Sequence, residues 1–116
     1  MLARPTEMTR VLDLCQTALQ IVDYSNPARL TSSGTEAGTY IAHCYDVKIV
    51  LYIPPLPDRK RLIDIWHNGI VLSVEWNPRG AQIHKFLPGK WEERLRQGAD
   101  AMQPEALQPR LAVGWS

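Results

Sequence analysis

The segment LIDIWHNGIVLSVEW, residues 62–76, decides the fold because the dipeptide Asn68-Gly69 separates two apolar runs. Asn-Gly is typical of a two-residue type I′ hairpin turn, in which both central residues need a positive φ. Three cross-strand pairs follow: His67 with Ile70, Ile65 with Leu72, and Ile63 with Val74. Strand alternation then turns one set of side chains toward the core: Ile63, Ile65, His67, Ile70, Leu72, Val74 and Trp76.

A helix is predicted before the sheet, from Thr6 as its N-cap to about Val22. Its apolar residues recur at i, i+3, i+4 and i+7, and they are Met8, Val11, Leu12, Cys15, Ala18, Leu19 and Val22. Cys15 lies on this apolar stripe, which predicts a buried, reduced thiol. Pro27 disfavours helical geometry for Asn26, so the helix should stop near there.

Further strands are predicted on both sides of the hairpin. A short strand is expected within residues 28–33, before a polar loop. Residues 39–53 alternate for longer than a usual strand, which predicts either a long bent strand or a break near Asp46. Unbroken alternation would place one series on the apolar side: Ile41, His43, Tyr45, Val47, Ile49, Leu51 and Ile53. Residues 81–87 follow a turn at 77–80; a bulged turn would turn His84 and Phe86 inward, whereas a tight two-residue loop would turn Ile83 inward.

A second helix is predicted from Lys90 to about Met102, with Trp91, Leu95 and Ala99 on one face. The sequence therefore predicts an α+β domain over residues 1–102, in which an N-terminal helix packs on an antiparallel meander sheet of about four or five strands. The second helix follows near the C-terminus. Residues 103–116, which contain two prolines, are predicted to form an extended tail.

Composition predicts one ordered domain, because the 116 residues are 45% hydrophobic and 22% charged. The formal net charge is +1, and residues 58–96 hold eight basic residues against five acidic ones, a bias far below that of a dedicated nucleic-acid binder. The N-terminus is charged and no apolar run reaches membrane-spanning length, so we predict a cytoplasmic protein without a membrane partner.

Motifs of the common nucleotide-dependent enzymes and hydrolases are absent from the sequence, including GxGxxG, GxxxxGK[ST] and GxSxG. Cys15 and Cys44 lack metal-ligand spacing, and no cofactor or metal site is predicted. The segment PPLPDR, residues 54–59, fits the PxxPxR pattern of a polyproline ligand, and it equally fits a stiff connector between strands.

Five residues form the predicted ligand-binding set: His43, Tyr45, His67, Trp76 and His84. The histidines would project from the apolar side of the sheet into a cavity under the first helix, where imidazoles suit proton transfer or zinc binding. The alternative is that each histidine is a core or pocket-wall residue with its own hydrogen bond.

Function is predicted as a non-enzymatic module that binds a small molecule or a protein, most economically a homodimer, because Val50, Tyr52, Trp66 and Val71 face away from the predicted core side. One alternative is a small hydrolase or isomerase that uses the histidines. Another is RNA binding or ribonuclease action through the basic region 59–96, with Trp66 or Trp91 as a stacking platform. The hairpins followed by a basic helix resemble the sheet-and-helix ending of small bacterial ribonuclease toxins of the RelE and ParE type. This resemblance covers the second half of the chain, and it implies an RNA substrate.

Overall fold

Seven strands lie between two helices in the part of the chain that the structure, a computed structural model, describes: residues 5–26, 30–31, 34–35, 37–55, 60–77 and 79–102. In chain order the elements are α1 (Pro5–Ser25), β1 (Leu30–Thr31), β2 (Gly34–Thr35), β3 (Gly38–Cys44), β4 (Val47–Ile53), β5 (Arg61–Trp66), β6 (Ile70–Asn77), β7 (Gly80–Phe86) and α2 (Trp91–Met102).

The strands β3 to β7 form one antiparallel meander, in which each strand pairs with its neighbour in sequence. The strands β1 and β2 pair with each other in a separate two-stranded sheet. Both helices contact each other and pack against β3 and β4. The predicted α+β fold, with an N-terminal helix, a meander sheet and a second helix, is therefore confirmed.

The core lies between the two helices and one face of the sheet. Buried side chains of α1, the sheet and α2 form one cluster: Val11, Leu14, Cys15, Ala18, Ile21, Val22, Ala42, Cys44, Val47, Ile49, Leu51, Ile53, Ile63, Ile65, Val71, Leu72, Val74, Trp91, Leu95 and Ala99. Each fully buried Val, Leu or Ile side chain in this cluster stabilises the folded state by about 1.5–3 kcal/mol, because burial removes it from water. Two layers around one core are sufficient for a domain of this size.

The β5–β6 hairpin turns where the sequence predicts, since Asn68 and Gly69 have φ values of 57° and 109°. The pairs Ile63–Val74 and Ile65–Leu72 are also confirmed. The predicted pair of His67 with Ile70 is wrong, because Trp66 pairs with Ile70 and the register shifts by one residue. The extra residue on β6 is Val71, and this bulge lets both Val71 and Leu72 be buried.

Residues 39–53 break into two strands at Tyr45 and Asp46, which confirms the second of the two predicted alternatives. Tyr45 adopts a φ of 57°, and Cys44 pairs directly with Val47 across the turn. The break inverts the alternation of β3 relative to β4. The prediction that unbroken alternation places Ile41 and His43 on the apolar side is therefore wrong for β3. Ala42 and Cys44 are buried instead, and Ile41 and His43 are exposed.

The β6–β7 connection combines both predicted geometries. Asn77 pairs with Gly80 and Val74 with Ile83, as expected for the tight two-residue loop. A register shift beyond Ile83 then leaves His84 without a partner on β6 and sets Phe86 opposite Leu72. Ile83 and Phe86 consequently both pack against the core. The inward placement of His84 is wrong, because the bulge exposes it.

The helices begin and end through specific hydrogen bonds. The helix α1 starts at Pro5, so Thr6 lies inside its first turn rather than at its cap, and it continues to Ser25. Asn26 ends it: the backbone N–H and the side-chain Nδ2 both donate to the carbonyl of Val22, at 2.9 and 3.0 Å. The same Nδ2 lies 3.3 Å from the carbonyl of Ile41, which ties the helix end to the edge strand β3.

The helix α2 occupies the predicted range to within one residue. The indole Nε1 of Trp91 donates to the carbonyl of Leu87 at 2.8 Å, and the Gly89 N–H donates to the Glu92 carboxylate at 3.1 Å. The predicted tail at 103–116 and the positions 56–59 of the proline-rich segment lie outside the described residues.

Candidate functional site

The face of the five-stranded sheet opposite the helices is called the outer face below. Cross-strand pairing arranges its side chains in three rows: His43, Lys48 and Trp66; Ile41, Val50, Asp64, Ser73 and Lys85; and Thr39, Tyr52, Leu62, Glu75 and Gln82. Both helices pack on the other face. The outer face is therefore not covered by either helix.

Large apolar side chains are exposed on the outer face. Ile41 is 50% exposed, Tyr52 44% and Trp66 36%. Val50 and Leu62 lie between them and are half-buried by their strand neighbours. The Lys48 Nζ sits 5.3 Å from the centre of the Trp66 ring, in reach of a cation–π interaction. The result is a contiguous apolar strip with aromatic side chains at its ends.

Polar groups on the outer face are paired across strands. Ser73 donates its hydroxyl to Asp64 at 2.7 Å. Glu75 accepts from the Lys60 ammonium at 2.6 Å and contacts the His84 Nε2 at 2.9 Å. The strip is thus bordered by both signs of charge.

A groove of about 620 Å³ runs along α1 on the helix side of the sheet, beside the β6–β7 hairpin. Its lining comprises Thr9, Leu12, Asp13, Cys15, Gln16 and Leu19 of α1, and Trp76, Asn77, Gly80 and Ala81 of the hairpin. Helical periodicity explains the α1 set, because residues 9, 12, 13, 16 and 19 fall on one side of the helix. The groove has the volume of a small-molecule site.

A third cluster joins the ends of two hairpins to α2. Asp46 contacts the His67 Nε2 at 2.9 Å and accepts a hydrogen bond from Arg94. Hydrogen bonds from Arg94 and then from His67 lower the pKa of Asp46 from 3.8 to about 2. A pocket of about 330 Å³ beside this cluster is lined by Tyr45, Asp46, Arg94 and Gln97. Because Asp46 neutralises the charge of Arg94, the main effect of the cluster is to link the β3–β4 and β5–β6 hairpins to α2.

The two thiols are free and buried. Burial raises the pKa of Cys15 to about 12. Burial also raises the pKa of Cys44, whose Sγ lies 3.3 Å from the Arg94 carbonyl. The thiolate is the nucleophilic form, so neither side chain supplies a nucleophile at neutral pH. The predicted buried, reduced Cys15 is confirmed.

The structure separates the five predicted ligand-binding residues. His43 lies on the outer face, Tyr45 is exposed in the β3–β4 turn, and His67 contacts Asp46. His84 contacts Glu75 on the outer side of β7, and Trp76 lines the groove beside α1. A single cavity shared by three histidines is therefore wrong, because the break at Tyr45 and the bulge at His84 turn two of them outward.

Several site residues escaped the sequence analysis. Asp13 and Gln16 lie on the polar flank of an amphipathic helix, where they resemble ordinary solvated residues. The sequence indicates Asp46 only as a point where a strand breaks, and Arg94 only as one member of the basic region 59–96. The clustering of Asp46, His67 and Arg94 depends on contacts between residues 21 to 48 positions apart along the chain.

Comparison with known proteins adds no relative: no family model, no curated protein and no solved structure matches the chain. Within the described residues, the protein is a two-layer α+β domain whose helices cover one face of the five-stranded sheet. Among the described residues, no three His, Cys, Asp or Glu side chains are grouped so that they could hold a metal ion. None of the helices described is both long and apolar enough to cross a membrane.

Proposed function

We propose that the protein is a non-enzymatic interaction module that binds a second copy of itself through the outer face. The observation that carries this proposal is the apolar strip of Ile41, Val50, Tyr52, Leu62 and Trp66 on a sheet face that neither helix covers. Contiguous exposed apolar surface with aromatic side chains is typical of interfaces.

The composition of the outer face supports a self-complementary partner. It carries three lysines, Lys48, Lys60 and Lys85, and two carboxylates, Asp64 and Glu75. In a two-fold dimer the same patch meets itself, so a patch with both signs can set acid against base without repulsion. A polyanion such as RNA would meet the two carboxylates, which disfavours this face as an RNA-binding surface.

The size of the outer face also suits a dimer. Five strands spaced by about 4.8 Å, each with about seven residues of 3.3 Å, give a projected area of roughly 550 Å². The accessible surface of protruding side chains exceeds this projection, and a standard interface buries about 800 Å² on each partner. The face is therefore of the right order for one specific interface.

The alternative of a small enzyme that uses the histidines has less support. That reading needs at least two histidines in one pocket, whereas His67 and His84 each contact a different carboxylate and His43 lies beside Lys48. The thiols are buried and protonated. A binding role requires none of these groups.

Light scattering on the eluting protein tests the proposal, with two tyrosine substitutions compared. Tyr52→Lys puts a charge into the apolar strip, whereas Tyr24→Lys puts the same charge on α1, where the tyrosine is 57% exposed. Wild type and Tyr24→Lys should have twice the mass of the 13.2 kDa chain at micromolar concentration. Tyr52→Lys should have the mass of a single chain, since burying an unpaired charge costs several kcal/mol.

A wild-type protein that stays monomeric at about 100 μM would refute the proposal, since a dimer weaker than this does not qualify as a standard interface. A dimer that survives Tyr52→Lys would also refute it, by placing the contact elsewhere. Circular dichroism shows whether each variant keeps the helices and strands of the wild type.

A further inference from the structure

We propose that the groove between α1 and the β6–β7 hairpin binds a small organic cation, namely an ammonium group attached to an aromatic ring. The groove lies on the helix side of the sheet, away from the outer face, so this site is separate from the proposed self-association. An apolar wall, an indole and a carboxylate are found together in this groove.

The walls of the groove suit a flat apolar group. Leu12 and Leu19 of α1 face Trp76 and Ala81 of the hairpin, and Cys15 lies between them. Trp76 and Ala81 are direct cross-strand neighbours, so the small alanine leaves the side of the indole open. Leu12 is exposed although it lies in the apolar stripe of α1, which means that the groove leaves part of that stripe uncovered.

Three of the polar side chains at the groove have no hydrogen-bond or ion-pair partner among the described residues. The Asp13 carboxylate, the Gln16 amide and the Trp76 indole N–H make no hydrogen bond or ion pair with any described residue. Trp91, by contrast, donates its indole N–H to a carbonyl. The Trp76 side chain is half-buried at the edge of the groove, so its indole N–H can donate to a ligand that binds there.

The charge at the groove is negative. Asp13 is the charged residue among those that line it. Arg10, one turn earlier in α1, is held by Glu92. Arg61, the cross-strand partner of Trp76, and Arg79 of the β6–β7 turn lie near the groove but do not line it. A ligand with an ammonium group can therefore contact Asp13 while its ring lies against Trp76, where the indole face also attracts a cation.

The test uses three probes of nearly equal size: 2-phenylethylammonium, the neutral 2-phenylethanol and the anionic 3-phenylpropionate. Two-dimensional ¹H–¹⁵N NMR follows the Trp76 indole N–H signal, with the other three tryptophans as internal references. Ligands with about ten heavy atoms should bind in about the millimolar range. The ammonium should bind about two- to fivefold more tightly than the alcohol, the ratio expected for a partly exposed ion pair, and the anion more weakly than both.

Two variants and one control assign the contacts. Asp13→Asn should remove the preference for the ammonium over the alcohol, because the exposed amide keeps the shape of the side chain. Ala81→Leu should weaken both probes by filling the space beside Trp76. Glu7→Gln, on the same helix and outside the groove, should leave the affinities within twofold of the wild type.

Three results would overturn the proposal. The first is an unmoved Trp76 signal at about ten times the expected millimolar concentration. The second is a neutral or anionic probe that binds as tightly as the ammonium. The third is a lack of effect from both variants: Ala81→Leu binds the probes as tightly as the wild type, and Asp13→Asn still prefers the ammonium to the alcohol. Binding by the monomeric Tyr52→Lys protein should match that of the wild type, which separates this proposal from the proposed function.

Discussion

Arg10 of α1 and Glu92 of α2 form a two-pronged ion pair, with Nε–Oε1 at 2.8 Å and Nη2–Oε2 at 2.7 Å. The Glu92 side chain is only 5% exposed, and one of its oxygens also accepts the Gly89 N–H at 3.1 Å. This one carboxylate therefore joins the two helices and caps the start of α2. The Arg10 guanidinium lies 5.4 Å from the Phe86 ring centre, which brings β7 into the same contact.

Glu92→Ala should lower the free energy of unfolding by about 1–3 kcal/mol, because it removes charged hydrogen bonds and leaves the Gly89 N–H without its acceptor. Glu93→Ala is the matched control, since Glu93 is exposed in the same helical turn. It should change stability by less than about 0.5 kcal/mol. Urea unfolding followed by circular dichroism measures both, and equal effects of the two substitutions would contradict the role of Glu92.

Gly98→Ala should destabilise the protein although alanine favours helices. A Cβ at Gly98 would overlap the Cys44 Sγ, so the helix or the β3–β4 hairpin must move. Overpacking of this kind costs about 1–3 kcal/mol, more than the gain of about 1 kcal/mol from helix propensity.

The double variant Cys44→Ala with Gly98→Ala tests the cause of that loss. Removing the sulfur should make Gly98→Ala neutral or stabilising in the Cys44→Ala background, which a double-mutant cycle of urea unfolding energies measures. A loss of the same size in both backgrounds would show that the contact with Cys44 is not responsible.

Gly69→Ala should cost about 1–2 kcal/mol through backbone conformation alone. Gly69 has a φ of 109°, and a Cβ there would meet no atom within 4 Å. Gly69→Asn should cost less, because asparagine tolerates positive φ better than alanine. The comparison is made by thermal unfolding, and equal losses for the two variants would speak against the conformational explanation.

Stability should depend on Asp46 at low pH. Its pKa lies at about 2 in the folded protein against an ordinary 3.8, so the folded state holds the proton less tightly than the unfolded chain does. The contribution is thus complete above about pH 4 and is lost as the pH falls through 2.

Asp46→Asn should flatten the fall of unfolding free energy between pH 4 and pH 2, because the variant has no carboxylate to protonate at this position. Denaturant titrations at several pH values give the two slopes. A variant with the same acid slope as the wild type would show that contacts of Asp46 with Arg94 and His67 do not stabilise the fold.

Local sequence signals predicted much of the fold. Asn68 and Gly69 favour positive φ wherever they occur. The position of the turn and the pairs Ile63–Val74 and Ile65–Leu72 could therefore be predicted from the sequence. The spacing of apolar residues in α1 and α2 is also a local signal, so both helices could be predicted. The length of residues 39–53 indicated a break near Asp46, although Tyr45 is not a residue that favours positive φ.

The candidate sites were harder to predict because one-residue shifts reverse a strand face. The bulges at Val71 and His84 and the turn at Tyr45 each reverse the alternation, and tertiary packing rather than local preference sets them. The faces of His43 and His84 were therefore predicted wrongly, whereas Trp76 was predicted on the helix side, where it lines the groove beside α1. The pairing of Arg10 with Glu92 spans 82 residues, and no local pattern predicts it.

The outer face is tested most directly by intermolecular nuclear Overhauser effects in a mixture of ¹³C-labelled and unlabelled protein. We predict contacts from the Tyr52 and Trp66 rings of one copy to the Ile41 and Val50 methyl groups of the other. The same contacts should vanish with Tyr52→Lys. Intermolecular contacts confined to the helices or to the β6–β7 hairpin, or none at about 1 mM protein, where even a weak dimer is populated, would contradict the assignment.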